Sequence, residues 1–80
     1  MALLRIYFDT NDSDQLGRYD LGPTGSLSDI APIADQLSEG MRVVIYMSGE
    51  LEMEATLEFD ALSGRWMARP IDGTLKYLDD

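Results

Sequence analysis

The segment Asp9-Thr10-Asn11-Asp12-Ser13-Asp14-Gln15-Leu16-Gly17-Arg18-Tyr19-Asp20 is crowded with side-chain oxygens. Counted from Asp9, oxygen donors fall at positions 1, 3 and 5 and a carboxylate at position 12, the spacing with which a calcium loop gathers a hard cation. Two features argue against that chemistry. Position 6 is Asp14, where the sharp turn of such a loop requires glycine, and the residues ahead of it alternate like a strand instead of a helix. Asp, Asn and Ser also favour turns by bonding to their own backbone, so a solvated turn is the better reading.

A second constellation is the glutamate row. Glu50 to Phe59 alternates polar and apolar residues without a break, so Glu50, Glu52, Glu54 and Glu58 share one face of a strand. Such a row can dock a basic partner, or imitate a phosphate backbone and so occupy a nucleic-acid-binding protein. The plainer reading is a wet face partly neutralised by Arg65 and Arg69. Phosphate mimicry also requires carboxylates spread over a longer surface than one strand. Trp66 and Tyr77 can be read as an aromatic cage, but aromatic side chains in a small core are more often packing units.

Other chemistry is excluded by residue type. The chain has no cysteine and no histidine. Disulfides, thiolate catalysis, cysteine-bound zinc and the usual general base near neutral pH are therefore unavailable. Neither a pocket motif, a glycine-rich loop nor a ligand cluster stands out, and we expect no enzymatic activity, cofactor or metal. Six basic residues against fifteen acidic ones give a net charge of −9. Nucleic acid and anionic membranes both need clustered Lys and Arg, so neither is an expected partner. The start has one arginine and a short apolar run, too little for a signal peptide, and a small domain without cysteine is expected in the cytoplasm.

Eighty residues read as one small domain that buries about two thirds of its unfolded surface. The second half predicts a curled four-stranded antiparallel meander. Its strands are Met41–Met47, Glu50–Phe59, Arg65–Ile71 and Thr74–Leu78, with Asp72-Gly73 as a hairpin turn. A three-residue turn at Ser48 to Glu50 puts Met41, Val43, Ile45 and Met47 inward, against Leu57, Ala55, Met53 and Leu51. A four-residue loop at Asp60 to Ser63 sets Leu57 opposite Trp66, Ala55 opposite Ala68, Glu58 opposite Arg65 and Glu54 opposite Arg69. The last hairpin sets Pro70 opposite Leu75, Ala68 opposite Tyr77 and Met67 opposite Leu78. Pro70, lacking an N–H, should end or bend the ladder near Met53.

Ahead of the meander, Ile30, Ile33, Ala34 and Leu37 lie on one helical stripe, which predicts a short helix over about residues 28–38 with Ser28 or Asp29 as its cap. Ala2 to Phe8 predicts a strand with Leu4, Ile6 and Phe8 on one face, and Arg18 to Leu21 a short return that completes an N-terminal β-hairpin. The expected fold is mainly β, on the border of α+β. The Leu37-Ser-Glu-Gly40 segment, the β-branched strand after it and the meander are together similar in pattern to SH3-like small barrels. That resemblance implies a fold and no particular role.

The predicted registers place Val44, Tyr46, Met67 and Leu78 on the outer face, rimmed by Glu52, Glu54 and Arg69. An apolar patch with a charged rim marks a protein contact, unless the N-terminal half covers it. The reading is a non-catalytic protein-interaction or regulatory module whose partner is another protein or a second copy in a homodimer. The alternative is the acidic antagonist acting through its glutamate row.

Overall fold

The computed structural model describes residues 3–78. Within them the chain is mainly β, with one curled, half-barrel sheet and one short helical segment. The elements in order are β1 (Arg5–Tyr7), β2 (Tyr19–Asp20), α1 (Thr24–Ile30), a 3-10 helix (Ala31–Gln36), β3 (Arg42–Met47), β4 (Leu51–Asp60), β5 (Arg65–Pro70) and β6 (Lys76–Tyr77). Strand order across the sheet is β1-β3-β4-β5-β2, and β6 joins β4.

The hairpin of β3 and β4 has the expected register, with Met47 opposite Leu51, Ile45 opposite Met53 and Val43 opposite Ala55. Gly49 at φ +73° makes the three-residue turn possible. The next hairpin keeps the expected faces but is displaced by two residues, because its four-residue loop begins one residue later. Leu57 faces Ala68, Phe59 faces Trp66 and Asp60 faces Arg65, so the direct Glu58–Arg65 and Glu54–Arg69 oppositions do not form.

The largest departure is at the chain's end. β6 does not fold back on β5; it pairs with β4, Tyr77 opposite Leu51 and Lys76 opposite Glu52. The outer edge of β5 is already taken by β2, with Tyr19 opposite Ala68. β5 and β6 therefore lie end to end along one edge of β4, separated by a looped-out Asp72-Gly73-Thr74 that sequence reads as a hairpin turn. Pro70 does not end the ladder, since it faces Ala55 and the Ile71 N–H still reaches the Glu54 carbonyl at 2.9 Å. That bond makes Ala55–Pro70 a non-hydrogen-bonded pair, in which the missing N–H faces away from β4.

The N-terminal half also differs in its partners. β1 lies parallel to β3, with Ile6 beside Ile45. The expected start of this strand at Ala2 lies outside the described residues. The N-terminal strand and the Arg18 to Leu21 return do not pair with each other as the sequence predicts, because β2 lies on β5; the hairpin that does form is a smaller one, with arms at residues 12–14 and 18–20. They are joined at a Ser13–Tyr19 bridge, with the Asp14 N–H on the Arg18 carbonyl and the Asp20 N–H on that of Asp12. The helix starts at Thr24 instead of residue 28, and tightens into the 3-10 form at Ala31. Pro32 explains the change, because it has no N–H to give to the carbonyl four residues back. Ile6, Phe8, Leu21, Ile30, Val43, Ile45, Ala55, Leu57 and Ala68 form the core, and each large aliphatic side chain so buried contributes about 1.5–3 kcal/mol.

Candidate functional site

Strand alternation puts Arg5, Arg42, Val44, Tyr46, Glu52, Glu54, Glu58, Arg65, Met67 and Arg69 on the face opposite the core. Every arginine of the chain pairs with a carboxylate here. Arg5 meets Glu52 at 3.2 Å, Arg42 meets Glu54 at 3.0 Å and Arg65 meets Asp20 at 2.8 Å. Glu58 is held from both sides, by Arg69 at 2.6 Å and Arg18 at 3.2 Å, and Arg18 also holds Asp14 at 2.8 Å. The Arg69 hydrogen bond keeps the Glu58 carboxyl below its ordinary range; burial opposes the shift and Arg18 adds to it. For Asp14, burial pulls upward but is outweighed by the Arg18 N–H, the Arg18 guanidinium and the Leu16 N–H, and the net shift is downward. The glutamate row is thus a set of neutralised pairs, with Glu50 alone standing exposed in the β3–β4 turn.

This arrangement divides the predicted patch. Tyr46 is engaged inside the monomer: its hydroxyl donates to Asp29 Oδ2 at 2.6 Å, the Arg5 guanidinium sits 5.0 Å from its ring centre, and Tyr7 meets it edge-on at 6.1 Å. The Asp29 bond, then burial and the Asp29 charge, push the phenol above its ordinary value against the opposing Arg5 charge. Val44 is half-buried between Arg5 and Glu54. Met67 is only 4% exposed and offers no surface. Its neighbours on that face are Arg65, Arg69, Glu58 and Asp20, all ion-paired. Leu78 is half-buried and lies beside Glu50, bonded to its carbonyl at 2.9 Å, far from Met67.

The Asp9–Asp20 loop is also committed internally. Asp9 accepts the Asn11 N–H, Asp14 accepts the Leu16 and Arg18 N–H groups, and Asp20 accepts the Gly22 N–H and Arg65. Among the described residues no group of three or more acidic side chains is placed to share a metal ion. Trp66 and Tyr77 form no cage. Trp66 stacks edge-on with Phe59 at 5.2 Å, while Tyr77 lies beside Leu51, about 26 Å away along β4. A broad open depression lined by Asp12, Asp20, Gly22, Pro23 and Arg65 holds the Asp20–Arg65 pair and, beside it, only the exposed Asp12 carboxylate.

Two features had no weight in sequence. The first is a latch from α1 to the sheet edge. The Tyr7 N–H and C=O, which face away from β3, are met by Asp29 Oδ2 at 2.9 Å and by the Ser26 hydroxyl. Ser26 and Asp29 stand three apart, one face of a helix, and this Ser-x-x-Asp spacing was the available signal. The second is the outer edge of β6, to which no described strand pairs. Leu78–Glu50 is a hydrogen-bonded pair, so the adjacent Leu51–Tyr77 pair is not, and the Tyr77 N–H and C=O point away from β4. Leu75 is 47% and Tyr77 71% exposed. By alternation both lie on the face of the half-buried Leu51 and Met53, so they continue the core's apolar row to the open edge. Among the described residues no helix is long and apolar enough to cross a membrane. Family models, curated proteins and solved structures contain no match to this chain.

Proposed function

We propose that this chain is a non-catalytic protein-interaction module whose contact surface lies along β6 and not on the charged face. The observation that carries the reading is the exposure of Tyr77 on β6, and of Leu75 just ahead of it, where the strand's outer backbone has no partner among the described residues. Other exposed leucines, Leu3, Leu16, Leu27 and Leu62, stand singly ahead of β1, in turns or on α1 and need no explanation. The arginine pairs weigh against the acidic-antagonist alternative, because Glu52, Glu54 and Glu58 are already answered within the monomer. A partner is therefore met by apolar contact, with charge setting preference more than strength.

The test is partner capture on the immobilised chain at high salt. Capture should persist in salt, be lost in the double variant Leu75→Ser, Tyr77→Ser, and survive Glu52→Lys with Glu54→Lys. Capture lost to salt and to the glutamate changes, and indifferent to Leu75 and Tyr77, would return the function to the acidic row.

A further inference from the structure

We propose that the outer edge of β6 takes up an extended, cationic segment of a partner protein as an added strand, an inference that rests on the interaction reading above. Unpaired backbone on an edge strand is a template for another chain, and proteins normally blunt it. This molecule does so at β1, where Ser26 and Asp29 occupy the outward backbone groups of Tyr7. Among the described residues β6 has no such cover: its outward N–H and C=O at Tyr77 meet no partner, and the side chains beside them are large and apolar. In strand addition the main chain supplies the hydrogen bonds and alternate side chains fill the apolar positions. An incoming strand would lay its apolar side chains next to Leu75 and Tyr77.

Charge selects the occupant. Exposed carboxylates bracket β6, with Asp72 ahead of it and Glu50 beside Leu78. Asp79 and Asp80 follow in sequence, and the whole chain carries −9. A second copy would bring the same acidic groups to the junction, and a two-residue strand gives it little area to offset that repulsion. A segment with an apolar centre and Lys or Arg at both ends meets the apolar pair and the carboxylates together.

The probe is the peptide Lys-Lys-Val-Thr-Val-Lys-Lys, titrated into isotope-labelled full-length chain up to about 1 mM. The proposal expects shift changes confined to residues 74–78 and the facing part of β4, and slowed exchange of the Tyr77 amide. Replacing the lysines by glutamates should weaken binding about tenfold or more, as should N-methylation of the peptide backbone, which leaves the protein untouched. Tyr77→Pro should weaken binding further than Tyr77→Ala does while leaving the β4 ladder intact, because beyond the ring it deletes only the outward N–H. Absent binding, equal binding of the two charge versions, shifts on another surface, or burial of the Tyr77 amide in a dimer would each overturn the proposal. If the peptide fails while high-salt capture still depends on Leu75 and Tyr77, strand addition falls and the interaction reading stands. If capture is indifferent to those residues as well, both fall.

Discussion

Asp29 does for β1 what a neighbouring strand does elsewhere in the sheet. One carboxylate oxygen accepts the Tyr7 N–H and the Tyr46 hydroxyl, so it fixes α1, β1 and β3 together. Asp29→Ala leaves two donors unanswered in a half-buried site and should cost about 2–3 kcal/mol in urea unfolding. In the same variant the Tyr46 phenol should titrate closer to its ordinary value. Because the folded phenol is raised, its contribution to stability is complete below the ordinary tyrosine range near pH 10 and fades as pH climbs through that range to the folded value. Gly25 belongs to the same contact, since a methyl group there would lie 2.7 Å from Tyr7 Cδ2. Helix propensity alone favours Gly25→Ala by about 1 kcal/mol, but crowding against the ring costs about 1–3 kcal/mol, so the variant should be destabilised. In a Tyr7→Ala background the crowding is gone, and the same change should stabilise, which equilibrium unfolding of the double-mutant cycle measures.

At the scale of elements, period-two alternation fixes which face of β3, β4 and β5 is buried, and the sequence is legible there because a one-residue slip would turn Ile45 or Leu57 into water. Partner choice is less legible. Asp72-Gly73 has the chemistry of a hairpin turn, yet Gly73 at φ +84° serves a loop-out that lets the chain run on along β4. The hydroxyl of Thr74 makes this possible by replacing a strand: it accepts the Glu54 N–H at 3.0 Å and donates to the Ile71 carbonyl at 2.7 Å. Nothing local announces that role, because it depends on β2 having taken the other edge of β5. Thr74→Val keeps the shape, strands the Glu54 N–H, and should cost about 1–2 kcal/mol by chemical denaturation, with the loss of order confined to β6 and residues 71–75. The helix was half legible for a similar reason. Its apolar stripe at Ile30 and Ile33 is visible, whereas Thr24 to Asp29 faces an edge strand with polar side chains and leaves no apolar period to read.

Over the whole molecule, a net charge of −9 is distributed unequally. The charged face is locally balanced by its arginines, while the remaining carboxylates, among them Asp35, Glu39, Glu50 and Asp72, lie in turns and helix ends away from it. The outer patch read from sequence is divided in the structure for a physical reason: glutamates and outer apolar residues mark a face, but only three-dimensional pairing shows which of them are spent. Acid should expose the pairing. Glu58 and Asp14 are both depressed, so the stability they contribute is present above the ordinary carboxylate range and is lost as pH falls below about 4 through their folded values. Urea midpoints measured against pH should drop across that window, and Glu58→Gln should flatten the drop.

The most direct measurement of the central claim is amide hydrogen exchange at Tyr77 and Leu78 in the isolated chain. The open edge predicts opposite behaviour in adjacent residues: Leu78, bonded to Glu50, is protected, whereas Tyr77 exchanges near the unprotected rate. Equal protection of the two amides at low protein concentration would mean that β6 is covered within the molecule, and would contradict the account.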